Sequence, residues 1–413
     1  MIIRRSRQPE LRLGYEMNTH PAANLEQFRA ALDRYTIPIS ERVAPDALFG
    51  IVPHIGEGLS QELRKSEVRA ALREYLTGRG LFPFSVNAFP LRDFHQERVK
   101  EQVYLPSWAH HRRADLTNRI ADQLSDLVPK GEPATISTLG GAYRPTGHGL
   151  RRQEEMAKNY LRTVVHLAKM ERQQGTSIVL AVEPEPDTTF EVAEDVTSFL
   201  ERALIPMAKA SLPRELGISA RQVEETLFQF FTVNIDVCHA AVMFRDPVEE
   251  WRALESAGLR IAKLHLTNAL AIPHPGIDRT VLTDLLRYDE PRYLHQVVGR
   301  KADGSLWRGA DLSAVKELSK GELLGIEELR VHFHVPLSKS EIGPLKTTRT
   351  ETASALEHAL QHPHPPHLVI ETYTWPYLSQ REAEQANLSS EKLLLEGIES
   401  EFRWVLDQFD IED

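Results

Sequence analysis

The chain has 413 residues, 41% of them apolar and 26% charged, with a net charge of −10, a length that suits one large barrel or two ordinary domains. The acidic balance gives no global reason to bind nucleic acid or an anionic membrane, and Cys238 as the sole cysteine excludes an intrachain disulfide and fits a reducing compartment. No apolar run approaches the roughly 20 residues of a membrane span, and the basic residues 1–7 lead into polar sequence rather than an apolar leader core, so a cytoplasmic protein that is not an integral membrane protein is expected.

In chain order, short apolar runs alternate with helical patterns. A strand is predicted over 11–18 and a helix over 25–35; then a strand over 48–54 and a helix over 60–77. The run 81–90 precedes a helix at 115–127. The run 134–139 is broken by Gly140 and Gly141 and followed by a helix over 154–172. Four further runs each end on a potential metal ligand. They are 178–182 into Glu183, 231–235 into Asp236, 261–264 into His265, and 368–370 into Glu371. Helices at 190–208, 215–230 and 247–257 separate the first three, with Gly258 as a stop signal. A helix over 391–409 closes the chain.

Strands alternating with helices of this length imply right-handed βαβ units and a parallel sheet. No glycine-rich phosphate loop follows the first strand, and polar residues gather at strand C-termini. The expected fold is a single α/β domain over 1–413, a (β/α)8 TIM barrel, since barrel enzymes keep their chemistry at that end. The run 329–335 makes nine strand candidates for eight staves. The stretch 268–328, rich in proline, histidine and charge, reads as a loop elaboration over the barrel mouth. The extra strand belongs either to that elaboration or to the barrel in place of an early run.

Several residues at the strand ends could carry chemistry. Glu183 and Glu185 alternate in Val182-Glu-Pro-Glu-Pro186, where two prolines end the strand. Asp236 and His239 form an Asp-Val-Cys-His step with Asn234 just before; an aspartate there is also an ordinary helix N-cap. Lys263, His265 and Thr267 share one strand face, pointing into the barrel, and a buried lysine calls for a carboxylate partner or an anionic ligand. His332 and His334 repeat the spacing on 329–335 as an alternative imidazole source or as substrate-binding residues. Trp375 could wall a pocket, while Asn18, His20 and Asn87 end earlier strands and could hydrogen-bond a polyol. The tract His362-Pro-His-Pro-Pro-His367 reads as an exposed loop whose prolines prevent a compact ligand set.

The order Glu183, Asp236-x-x-His239, His265, Glu371 resembles the metal site of the epimerase branch of the xylose-isomerase-like barrel superfamily. That resemblance implies Glu183, Asp236, His265 and Glu371 as ligands, the two glutamates as an acid/base pair, and His239 as a substrate contact. More closely, the chain resembles the EboE family, described as metabolite traffic proteins of the bacterial ebo cluster. The matching stretches include Leu13-Gly-Tyr-Glu-Met-Asn-Thr-His-Pro21, Asp236-Val-Cys-His-Ala240, Val331-His-Phe-His-Val-Pro336 and Glu371-Thr-Tyr-Thr-Trp375. It implies other ebo-cluster proteins as partners.

The expected cofactor is a divalent cation, Mn²⁺, Mg²⁺, Co²⁺ or Zn²⁺. The expected activity is isomerisation or epimerisation of a small polyol or cyclitol-like metabolite, with Lys263 or His239 stabilising an enediolate oxygen. Two alternatives are a non-catalytic carrier that keeps the pocket and a phosphoesterase like endonuclease IV. The latter needs more metals and a basic groove, which the net charge opposes.

Overall fold

A computed structural model describes residues 1–5, 8–93, 95, 98–147, 149–386 and 389–409. The apolar runs of the sequence become the staves of a barrel. In chain order the strands are β1 (Ile2–Arg5), β2 (Gln8–Tyr15), β3 (Phe49–Ile51), β4 (Leu81–Pro83), β5 (Ser85–Asn87), β6 (Ala134–Leu139), β7 (Ile178–Glu183), β8 (Phe231–Asp236) and β9 (Ile261–Leu266). After them come β10 (Asn268–Pro273), β11 (Val297–Lys301), β12 (Leu306–Gly309), β13 (Ile326–Val335), β14 (Glu341–Ile342), β15 (Leu345–Thr347) and β16 (His367–Ile370).

One sheet runs β2-β16-β9-β8-β7-β6-β5, all parallel, with β1 added antiparallel to β2. The parallel pair β3-β4 closes it through the bridges Glu16↔Val52 and His54↔Asn87. With β4 and β5 as two halves of one stave, eight parallel staves make a closed (β/α)8 barrel. Strands covered on both faces read as continuous apolar runs, and β6 to β9 are buried at every residue.

The helices follow ordinary end signals. Asp246 caps Pro247–Ser256 by accepting from the Val248 and Glu249 amides, with proline in the first turn. Gly258, just beyond, takes φ +88°, which only glycine adopts at low cost. The helix predicted at 190–208 runs instead from 193 to 216 with a π-turn at Leu200–Leu204, and the one predicted at 215–230 is reduced to Val223–Phe230 after a single 3-10 turn.

The run 329–335 is no stave. It forms most of β13, the centre of a six-stranded antiparallel sheet ordered β12-β11-β13-β10-β15-β14. This sheet lies in the chain between β9 and the helix Arg349–Gln361, which leads to the last stave. The stretch read as loop over 268–328 therefore holds β10, β11, β12 and the start of β13. The histidine–proline tract is exposed at His364, but His367 is buried as the first residue of β16, its ring 5.0 Å from that of Phe84. Among the described residues no helix is long and apolar enough to cross a membrane.

Candidate metal centre

The C-terminal ends of β7, β8, β9 and β16 bring Glu183, Asp236, His265 and Glu371 together. One ligand atom from each lies within 4.8 Å of the others, and all four residues are buried. His265 Nδ1 faces the three carboxylates, 2.9 Å from Glu371 Oε2, 3.2 Å from Glu183 Oε1 and 3.4 Å from Asp236 Oδ2.

Asp236 satisfies both of its sequence readings, with different oxygens. Oδ1 caps the helix Val237–Val242, accepting from the His239 amide at 3.1 Å and from the Thr267 hydroxyl at 2.7 Å. Oδ2 points to the cluster and accepts no hydrogen bond; neither does Glu183 Oε2. Buried carboxylate oxygens without donors are costly. A divalent cation among them would satisfy both, so the residues fit such an ion. Three hard oxygen donors and one imidazole match Mg²⁺, Mn²⁺, Co²⁺ or Zn²⁺.

Behind His265 lies a second tier. Lys263 Nζ is wholly buried and donates to Glu16 Oε2 at 3.1 Å and to Ser137 Oγ at 2.9 Å. Glu16 Oε2 in turn stands 3.4 Å from His265 Nε2. The lysine thus has its carboxylate partner inside the barrel. Glu16 obeys the same rule, an acid at a strand tip, but the strand predicted over 11–18 runs past it, whereas β2 ends at Tyr15.

Charge in the cluster is strongly coupled. Burial would push His265 toward its neutral form, but the carboxylates, Glu371 foremost, hold its pKa well above the usual histidine range. Burial also raises Glu183; His265 and His239 outweigh it and leave that carboxyl below its ordinary value. At Glu371 burial prevails and the pKa rises. Burial, then the nearby Glu183, pushes Glu185 well above the usual carboxyl range.

A small cavity of about 60 Å³, open at its mouth, adjoins the cluster. Asn18, Asn87, Glu183, Glu185, His239, His332, His334 and Glu371 supply its polar lining, and Phe89, Tyr104, Tyr293 and Tyr373 its aromatic one. Asn18 Nδ2 donates to Glu371 Oε1 at 2.8 Å. His20 and Trp375 do not line it. His20 meets the Tyr15 hydroxyl at 3.2 Å and stacks on Tyr35, and Trp375 Nε1 donates to Glu401 Oε2 at 2.6 Å. Tyr104 and Gln296 are not singled out by the sequence, because their place depends on long connections folding over the mouth, whereas Tyr373 follows Glu371 by two positions just past β16.

A closed parallel barrel with a buried carboxylate–imidazole cluster at the C-terminal ends of its strands defines the class of this protein. No family model matches the sequence, and a comparison with curated proteins finds no match. Solved structures do match at low identity. A xylose isomerase-like TIM barrel protein from Mycobacterium smegmatis, in complex with magnesium, is 12% identical, with TM-score 0.47 and 96% of each chain covered. The IOLI protein with a bound zinc atom is 12% identical, with TM-score 0.43, covering 97% of this chain and 100% of that one. A D-allulose 3-epimerase from Methylomonas sp., in complex with D-allulose, is 11% identical, with TM-score 0.43 and 97% of each chain covered. The barrel itself is defined by its strand order and closing bridges.

Proposed function

We propose that the protein is a divalent-metal-dependent isomerase or epimerase acting on a small polyhydroxylated or cyclitol-like metabolite. The observation that carries this reading is the convergence of Glu183, Asp236, His265 and Glu371, with two of their oxygens lacking any hydrogen-bond donor. A cation held there would supply Lewis acidity, which lowers the pKa of a C–H between two oxygens of a hydroxy-ketone.

The chain's own residues divide the remaining work. Glu183 and Glu371 enter from β7 and β16 and form the pair that takes a proton from carbon and returns it. Asn18 holds Glu371 in orientation through its 2.8 Å hydrogen bond. His239 faces a substrate oxygen, and Asn87, Glu185 and His334 offer hydrogen bonds to hydroxyl groups along the cavity. The aromatic side chains of Phe89, Tyr104, Tyr293 and Tyr373 wall the cavity around the substrate. Lys263 takes a positioning role, holding Glu16 against His265, because its Nζ is spent on Glu16 and Ser137 rather than on the cavity. Residues 268–328 are read as an elaboration that walls the mouth, a reading supported by Tyr293 and Leu294 in the cavity lining. The resemblance to the EboE family adds the finer reading of one step in an ebo-type metabolite pathway.

Elemental analysis of wild type and of the Glu183→Ala/Asp236→Ala double variant tests the metal part: the variant should lose its ion, and equal content in both would end the proposal. Deuterium from solvent tests the chemistry. An isomerase washes it into a bound hydroxy-ketone at the exchanging carbon, whereas a carrier leaves the ligand unlabelled.

A further inference from the structure

Three imidazoles, those of His239, His332 and His334, stand on the cavity side of the carboxylate cluster, and their partners assign their tautomers. His239 Nδ1 lies 2.9 Å from the Pro184 carbonyl, and His334 Nδ1 lies 2.6 Å from the Glu371 carbonyl. A carbonyl only accepts, so both Nδ1 atoms carry a proton and donate it. His332 Nδ1 lies 2.7 Å from Gln296 Oε1. The Gln296 amide is oriented by its other end, where Nε2 donates to the Tyr104 hydroxyl at 2.7 Å and to the Pro186 carbonyl at 3.1 Å. Its oxygen therefore accepts from His332. In the neutral rings every Nε2 is then a bare lone pair.

Two of those lone pairs face each other, with His239 Nε2 and His332 Nε2 only 3.0 Å apart. No proton is left to join them. Two imidazole nitrogens bound to one ion at about 2.0–2.1 Å sit roughly 3.0–3.4 Å from each other, and the observed spacing falls at the short end of that range. One ligand atom of Glu185 lies within 4.8 Å of those offered by both rings. A second observation points the same way. His334 is 1% exposed, and its Nε2 hydrogen-bonds nothing; it lies 3.8 Å from Asp236 Oδ2, which is equally unpartnered. Asp236, His239 and His334 also gather within 4.8 Å. A ring whose far N–H is tied to a carbonyl or amide oxygen is the usual arrangement of a ligating histidine.

We propose that His239, His332 and Glu185 hold a second divalent cation, separate from one in the carboxylate cluster, with Asp236 Oδ2 and His334 Nε2 lying between the two sites. Two imidazoles and one carboxylate favour Zn²⁺ or Co²⁺ over Mg²⁺. His239 would then meet a substrate oxygen through this ion rather than directly. The inference stands on the hydrogen-bond partners of the rings and does not need the isomerase reading.

Zn²⁺ titrated into metal-stripped protein by calorimetry, with elemental analysis after gel filtration, tests it. Wild type should bind two equivalents, His332→Gln one, and Glu183→Gln/Glu371→Gln one, with circular dichroism melts establishing that each variant is folded. A single wild-type equivalent that survives His332→Gln and is lost in the glutamate variant overturns the second site and leaves the first standing. A single equivalent with the opposite pattern supports the second site and removes the first. Where a variant does not fold, the wild type decides: two equivalents support the inference, and one or none overturns it.

Discussion

Asp236 shows how one side chain can be both a helix cap and a candidate ligand. Its Oδ1 is consumed by the His239 amide and the Thr267 hydroxyl, which locks the carboxylate plane and aims Oδ2 at the cluster. The sequence displayed this residue, its neighbours at strand tips, and even the pairing demanded by Lys263. It could not display Glu16 as the partner, because the contact spans 247 positions. Removing the lysine should leave Glu16 buried and uncompensated beside His265. Lys263→Met is expected to cost about 3–5 kcal/mol of stability and to weaken metal binding about 10- to 100-fold through loss of ring orientation. Urea denaturation and Mn²⁺ titration read the two effects separately. Glu401 gives a pH signature. It is wholly buried, accepts from Thr372, Trp375 and the Leu337 amide, and burial raises its pKa to about 7. An unfolded glutamate titrates near 4.3, so between that pH and about 7 the native state holds the extra proton. Its contribution is therefore fully present below about pH 4.3 and lost as pH rises through about 7, a change of about 3–4 kcal/mol. Glu401→Gln should flatten this slope in urea denaturation run between pH 5 and pH 8.

At the scale of the element, all eight staves were legible as apolar runs because a strand buried on both faces needs apolar residues throughout. The β10–β15 sheet was not. Its outer strand β12 is mostly exposed, and prolines, histidines and charges fill the connections, so its composition reads as loop. Only β13 stood out, as the longest strand of the sheet, ten residues against six in β10. Helix ends were less legible than strand ends. The helical stretch from 193 to 216 carries a π-turn at Leu200–Leu204 and prolines at 206 and 213, features that periodicity alone does not place. Within the barrel, two glycines on adjacent staves make room for one aromatic ring. A Cβ on Gly14 would lie 2.8 Å from Phe84 Cε1, and one on Gly50 would lie 2.7 Å from it. Gly50→Ala should destabilise the protein by about 1–3 kcal/mol through overpacking. Adding Phe84→Leu should recover part of that loss, and a double-mutant cycle of thermal melts measures the coupling.

For the whole molecule, the chemistry lies where two architectures meet. The barrel supplies the acids and His265 at its strand ends, and the C-terminal end of β13, inside the antiparallel sheet, supplies His332 and His334 to the same cavity. The first contribution is readable from sequence because each ligand directly follows its own apolar run. For the second, the alternating spacing of His332 and His334 shows in the sequence, but their placement depends on how a long connection folds back, which no local pattern encodes. The aromatic side chains that wall that cavity narrow the path to the cluster, which predicts slow exchange of a bound ion with chelator. Tyr373→Ala should accelerate metal loss to a chelator several-fold without changing the number of ions bound at saturation, as stopped-flow absorbance would show. The central claim is that four side chains, 188 residues apart at the extremes, share one cation. Anomalous diffraction from a crystal grown with Mn²⁺ tests it most directly. The account predicts a peak roughly 2.0–2.4 Å from oxygens of Glu183, Asp236 and Glu371 and from His265 Nδ1. No peak there, or one bonded to other residues only, would contradict it.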